Sequence, residues 1–400
     1  MKYALGNMLN GAGSLNPDGL SLDLQFATDK TLTARKGPTP VFTRASTATF
    51  VGSNGLIQTA AVNEPRFDHD PITLACKGLL IEESRTNLYP RSEEFETVSW
   101  AKTRSSITAN ATTAPDGTLT ADKLVEDTTA SNTHTSGSSV TPPATAHTLS
   151  VFAKKGERTW IVLRLGGNNT FFNLDDGTIA AGSVNSPTIT NFGDGWYRCT
   201  VTSSAGTQGS FHLATNSTTT SYTGDGTSGL FLWGAQLEAG SFATSYIPTT
   251  TASVVRSDDV CSITGDAFSG FYNQSEGTVI VNGDSAGASG SRWCGTSPTR
   301  AFELYGKTNL VYFESSGITE TPIGAISLPT KFGLACKLND FQGVRNGTLG
   351  GADTNATMPS PTTFHIGNLL GTSSWLNGCI SSIRYFKKRL PNAKLQTLTA

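Results

Sequence analysis

Short apolar runs punctuated by Gly, Asn and Asp recur along this chain, and none has the length or the period of a helix. Seven fall in one stretch: TADKLVED (120–127), HTLSVFAKK (147–155), TWIVLRL (159–165), FFNLD (171–175), WYRCTVT (196–202), SFHLAT (210–215) and GLFLWGAQLE (229–238). Within 147–175 and 196–215 their starts lie about 12–14 residues apart, near the spacing of strands in a β-sandwich. Helices need periodic runs of Ala, Leu, Glu, Lys and Arg, whereas charged residues make up only 15% of this chain and Gly alone numbers 42. Thr, Ser, Gly and Asn are residues of strands and tight turns. The expected fold class is therefore all-β.

Three units are expected. Residues 1–95 carry turn signals at Asn16-Pro17-Asp18-Gly19 and Gly52-Ser53-Asn54-Gly55, with SLDLQF (21–26) alternating Leu22, Leu24 and Phe26 against Ser21, Asp23 and Gln25. The unit is short of apolar residues, so its strands are expected to be completed by other subunits or by a larger assembly. Residues 96–254 read as one jelly roll with hairpin turns at Asp175-Asp176-Gly177 and Asp194-Gly195. Residues 255–400 read as a second, with strands at GTVIVNG (277–283), RAFELYG (300–306), NLVYFES (309–315), KFGLACKL (331–338), FQGVRNG (341–347), TFHIGN (363–368) and CISSIRYFKK (379–388). Both faces of the last strand mix apolar and polar residues, which suits a position near a sheet edge. The architecture expected is a β-rich N-terminal unit followed by two tandem jelly-roll sandwiches.

A formal net charge of −2 offers no footprint for nucleic acid or an anionic membrane. Arg384, Lys387, Lys388 and Arg389 read as the solvated end of a strand. Six cysteines without a CxxC pattern read as buried thiols. Neither a signal peptide nor a membrane-spanning run is expected.

No catalytic residue is expected. Gly283-Asp284-Ser285-Ala286-Gly287 matches GxSxG, but that motif needs a strand-to-helix elbow, and ASGSRWCG cannot begin a helix. A partner His stands at 365, with Asp340 or Asp353 before it. Glycosidases need two carboxylates facing each other across the sugar; Glu82-Glu83 and Glu93-Glu94 are adjacent, so on strands their members point to opposite faces. Flat aromatic rings hold sugars against their C–H faces, and Trp160, Trp196, Trp233, Trp293 and Trp375 are the candidates. Trp196 and Trp233 lie on central strands and read as core. Trp293 and Trp375 flank Gly/Ser loops and are the expected glycan-binding residues.

Five phrases occur in a fixed order: RASTATFVGSNGLI (44–57), VNEPRFDHDP (62–71), KGLLIEESRTNLYPRSEEF (77–95), GDGWYRCTV (193–201) and LWGAQLEAGSFATSYIPT (232–249). Together they resemble bacteriophage head-spike and tail-fibre proteins with carbohydrate-binding jelly rolls. Residues from about 270 onward, ending in TSSWLNGCISSIRYFKKRL (372–390), resemble a laminin-G/concanavalin A-like jelly roll. The resemblance implies a non-catalytic virion appendage that adheres to a host surface polysaccharide. It also implies a homotrimer attached by residues 1–95 to a capsid or tail protein, made in the host cytoplasm and displayed on the virion. A glycan-depolymerising tailspike and a purely structural decoration protein are the alternatives. Laminin-G-like folds often hold Ca²⁺ on loop oxygens, which makes Asp340, Asn346, Asp353 and Asn355 the expected ligands. No membrane insertion and no nucleic-acid partner are expected.

Overall fold

Strands hold 48% of the chain and helices 6%, so the all-β, jelly-roll class expected from the punctuated apolar runs is the one observed. The structure, a computed structural model, describes residues 19–182, 185–285, 291–297, 304–306, 309–313, 318–322, 330–355, 358, 360–368 and 374–400.

Two six-stranded sheets form the middle sandwich. One runs in the order Thr188–Gly193, Trp196–Ser203, His147–Lys155, Gly229–Ala239, Ala121–Glu126, Ser105–Thr112. The other runs Thr178–Ile179, Asn168–Asn173, Trp160–Leu165, Ser210–Ala214, Thr135–Ser138, Trp100–Thr103. Alternation drives the packing: Ile161, Leu163 and Leu165 point inward to meet Leu149, Val151, Phe211, Leu213, Leu230 and Leu232 in a dry core. The intervening Trp160, Val162 and Arg164 point away from it.

The second sandwich pairs an eight-stranded sheet with a five-stranded one. The larger sheet runs Thr348–Asp353, Asp340–Arg345, Thr330–Lys337, Glu276–Gly283, Gly378–Phe386, Cys76–Ile81, Phe67–His69, and Leu20–Leu24 also pairs with Gly378–Phe386. The smaller runs Val41–Thr43, Val260–Thr264, Thr363–Ile366, Ser291–Ser297, Leu304–Gly306. Four of these strands come from the first 95 residues. That corrects the expected division: Leu20–Leu24, Val41–Thr43, Phe67–His69 and Cys76–Ile81 are strands of the second sandwich, not a unit of their own. Leu22, Leu24, Phe26, Phe42, Leu79 and Ile81 lie in the same core as Val279, Trp293, Leu334, Phe364 and Ile383. The apolar shortage of residues 1–95 is met within this chain. Gly78 permits it, since at φ +114 it lets the strand approach Ile380 where a Cβ would collide.

The strand Gly378–Phe386 is correspondingly central, not near an edge. Ile380, Ile383 and Tyr385 face the inter-sheet core, and Phe386 packs under the C-terminal helix Asn392–Thr399 beside Leu395 and Leu390, while Ser381, Ser382 and Arg384 stay half-buried.

The middle sandwich is an insertion. Arg85–Asn87 pairs with Val254–Arg256, Asn87 opposite Val254 and Arg85 opposite Arg256, so the chain leaves and re-enters the second sandwich at one point. Five cysteines are buried, Cys76 is partly so, and all six are free thiols. No helix among the described residues is long and apolar enough to cross a membrane.

Candidate functional site

The residues picked out by sequence do not gather into a site. Trp293 is fully buried, its ring edge-on to Phe332 with centroids 4.9 Å apart; the expectation that it edges a ligand site is overturned, because strand Ser291–Ser297 turns it into the core. Trp375 is half-buried against the same core, and its Nε1 donates to the Asp259 carbonyl at 2.9 Å. Of the four expected calcium ligands, Asp353 stands opposite Phe341, next to Asp340, and Asn346 lies apart from them. Asp340 and Asn346 flank opposite ends of the strand Asp340–Arg345, roughly 20 Å apart at strand rise. Asp340 accepts from Arg389 at 2.9 Å, Asn346 caps Lys331 N at 2.9 Å, and Asp353 caps Asn355 N at 2.9 Å. Turn and strand-end bonding uses them instead. No cluster of three His, Cys, Asp or Glu with metal-site geometry occurs among the described residues.

The GxSxG segment does not form an elbow at its described end. Asp284 N donates to Cys379 O at 2.9 Å and its Oδ1 accepts from Cys379 N at 2.8 Å, which prolongs the strand pairing. Ala286 and Gly287 lie outside the described residues. His365 Nε2 is 2.8 Å from Ser297 Oγ, on the opposite sheet from Asp340 and Asp353.

A different surface brings rings and hydrogen-bonding groups together. On the second sheet of the middle sandwich, the face turned away from the core presents Trp160, Val162 and Arg164 from one strand. Asn169, Phe171 and Asn173 come from its neighbour on one side, and Ser210, His212 and Ala214 from its neighbour on the other. The register sets Trp160 opposite Asn173 and Val162 opposite both Phe171 and His212; Arg164 stands opposite Asn169 and Ser210. Trp160 and Phe171 are thus diagonal neighbours, about 7–8 Å apart at Cα. Both are half-buried, and Arg164 is exposed. Val162 is completely shielded and forms the apolar floor between the rings.

Three polar groups on this face lack a protein partner. Asn169 Oδ1 and His212 Nδ1 are buried atoms without a hydrogen bond. Arg164 has no carboxylate within 4.0 Å among the described residues. His212 Nε2 is held by Ser210 Oγ at 2.8 Å. Burial first, and the charge of Arg164 second, push the imidazole down to about 4, so the ring is neutral at physiological pH with one donor and one acceptor nitrogen. The strands of this sheet from Trp100–Thr103, Thr135–Ser138, Trp160–Leu165, Asn168–Asn173 and Ser210–Ala214 contain no Asp or Glu. An aromatic pair, an apolar floor and unsatisfied neutral donors and acceptors are what a pyranose needs. Paired carboxylates for cleaving it are missing from those five strands. Period-two alternation in TWIVLRL and SFHLAT marks this face in the sequence; what the sequence does not give is that Trp160 and Phe171 join no apolar cluster among the described residues.

The other face of the neighbouring sheet meets the second sandwich at a charged joint. Asp259 bridges Arg44 at 3.2 Å and Arg66 at 2.6 Å; Glu82 bridges Arg66 at 2.8 Å and Arg256. Ser245 links both halves, donating to Glu82 and lying 2.8 Å from Arg66 Nη1 and Arg256 Nη1. Burial alone would raise Glu82, yet Arg256 and Arg66 together hold it down at about 2. Arg85 lies beside Glu83 at 2.5 Å in a space kept open by Gly240, where any side chain would strike its guanidinium. Arg44, Arg66, Glu82, Arg198 and Ser245 come one from each of the five phrases noted in the sequence. Those phrases therefore spell the joint between the sandwiches, not the aromatic face.

No protein-family model and no curated relative matches the chain. Among solved structures it is similar to the CBM40 of a Ruminococcus gnavus IT-sialidase bound to alpha2,3 sialyllactose, at 11% identity and TM-score 0.27, over 32% of this chain and 84% of that one. It is similar to domain 4 of AbnA, a GH43 extracellular arabinanase from Geobacillus stearothermophilus, at 11% identity and TM-score 0.30, over 40% and 82% of the two chains. A Trypanosoma rangeli sialidase is matched at 11% identity and TM-score 0.26, over 74% of this chain and 62% of that one.

Proposed function

We propose that the protein is a non-catalytic adhesion module that holds glycans on the outer face of its middle sandwich, and that it serves as a head-spike or tail-fibre appendage of a bacteriophage virion. The observation that carries the binding reading is the pairing of half-buried Trp160 and Phe171 with unpartnered Asn169, His212 and Arg164 groups on one open sheet face. The ring faces take the C–H surface of a sugar, and the polar atoms take its hydroxyls. The virion reading rests on the five phrases. A homotrimer suits that role, since three weak faces presented together gain avidity.

A glycan array probed with the full chain tests the binding reading. The wild type is expected to select a subset of surface polysaccharides, and Trp160→Ala and Phe171→Ala to lose that signal while keeping the wild-type unfolding midpoint within a few degrees. Retention of array binding by both variants would sink it. Immunogold labelling of virions tests the appendage, and light scattering on the purified chain tests the trimer.

A further inference from the structure

The joint between the two sandwiches encloses a cavity of about 250 Å³, below the usual range of small-molecule pockets and thus sized for a single ring. Its walls include Phe152, Phe192 and Tyr246, and Thr190 and Thr244 supply hydroxyls. Its charged groups are Asp68, Asp70, Lys77, Glu82 and Arg198. Four of these are already matched. Lys77 pairs with Asp68 at 2.5 Å, and Glu82 serves Arg66 and Arg256. Asp70 spends its carboxylate on its own turn, accepting from Ile72 N at 3.0 Å and Thr73 N at 2.7 Å.

Arg198 is the exception. Its Nη1 donates to the Thr244 carbonyl at 2.7 Å and its Nη2 to Ser150 Oγ at 3.1 Å, and its guanidinium lies 5.4 Å from the Phe152 ring centroid. No carboxylate comes within 4.0 Å of it among the described residues, and its Nε is buried without a hydrogen bond. Burial pulls Arg198 down, countered in part by the more distant charges of Glu238 and Glu82. A guanidinium left in low dielectric without a counter-ion is costly, and Arg is the side chain whose planar fork best fits a carboxylate.

We infer that this cavity binds a small carboxylate-bearing sugar of single-ring size, its carboxylate ion-paired to Arg198 and its ring set among Phe152, Phe192 and Tyr246. This site is separate from the outer face and independent of it. The test is a thermal-shift and calorimetric titration of the full chain with D-glucuronate, with D-glucose and sodium chloride as controls. Glucuronate is expected to bind and to raise the unfolding temperature where glucose and salt at equal concentration do not. Arg198→Gln is expected to weaken glucuronate at least tenfold; should that variant fail to fold, Arg198→Lys, which keeps the charge and loses the fork, is expected to bind several-fold more weakly. Trp160→Ala is expected to leave glucuronate binding unchanged even if it abolishes the array signal, which separates the two sites. Equal shifts with glucose or salt, no shift with glucuronate at 50-fold excess over protein at millimolar concentration, or unaltered affinity in the folded Arg198 variants would each overturn the assignment.

Discussion

Trp233 and Trp160 both point away from the core of the middle sandwich, one from each of its sheets, yet they meet opposite fates. Trp233 is 1% exposed and packs edge-on to Phe152 and tilted against Tyr246, with ring centroids 5.4 and 4.7 Å away. Ile57 of the hairpin Ala48–Val51/Ile57–Ala60 and Tyr246 of the returning segment close over it. Trp160 is half-buried and joins no such cluster among the described residues. Strand alternation placed both rings outward; what decided their exposure was which of the two sheet faces the rest of the chain folded onto. An outward aromatic is a site only where the tertiary structure leaves it bare, and a joint where it does not.

This contrast can be broken by substitution. The largest effect is expected at the covered face's charged border. Asp259→Ala strands Arg44 in a buried setting and leaves Arg66 to Glu82 alone, and is expected to cost about 5 kcal/mol, the upper end for a broken buried pair; denaturant unfolding reads it, and a loss under 1 kcal/mol would mean that water already reaches the joint. Next comes Trp233→Ala, expected to cost about 4 kcal/mol as a large core truncation, with no change in glycan affinity of the fraction that remains folded. Trp160→Ala inverts that pattern: glycan binding should fall by about 1–3 kcal/mol per site, as for a flat ring lost from a stacking platform, and stability by no more than about 1 kcal/mol. If Trp160→Ala instead destabilises as Trp233→Ala does, the outer face is covered in solution and the contrast fails.

The smallest effect is in pH. The folded His212 imidazole is held near 4 against 6.5 when unfolded. The unfolded chain therefore takes up the proton first. The contribution of this group is complete above pH 6.5 and is lost as pH falls toward 4, by roughly 1 kcal/mol at pH 5.5. His212→Gln should remove that part of the slope between pH 7 and 5.5. Glu82, held at about 2 against 4.5, acts lower: its contribution is complete above pH 4.5 and fades as pH falls toward 2, so acid unfolding in Glu82→Gln should lose that step.

Much of the fold was legible before the structure. Seven of the twelve strands of the middle sandwich stand at or beside the apolar runs, and Trp196 and Trp233 are core as expected of central strands. Legibility stopped at pairings across long separations. Leu20–Leu24 finds its partner more than 350 residues away in Gly378–Phe386, and Val41–Thr43 pairs with Val260–Thr264. Neither partner carries a local mark of the other, so residues 1–95 read as a thin unit awaiting another subunit. The candidate Trp293 was misplaced for a related reason. It sits among Gly and Ser, which look like loop, but a strand there turns the ring inward, whereas Trp160, one of the candidate rings and given no place by its apolar strand, lies outside the core of its sandwich.

The sequence by itself determined the all-β class, the positions of most strands and the two-sided pattern of each, because side-chain alternation and turn chemistry act over a few residues. Only the tertiary structure decided that one sandwich is inserted into the other, that five separate phrases converge on a single buried joint, and that Trp160 and Phe171 stand on a bare face. Those outcomes depend on which surfaces cover one another across hundreds of residues, where the free energy lies in shared burial and charge pairing that no local stretch encodes.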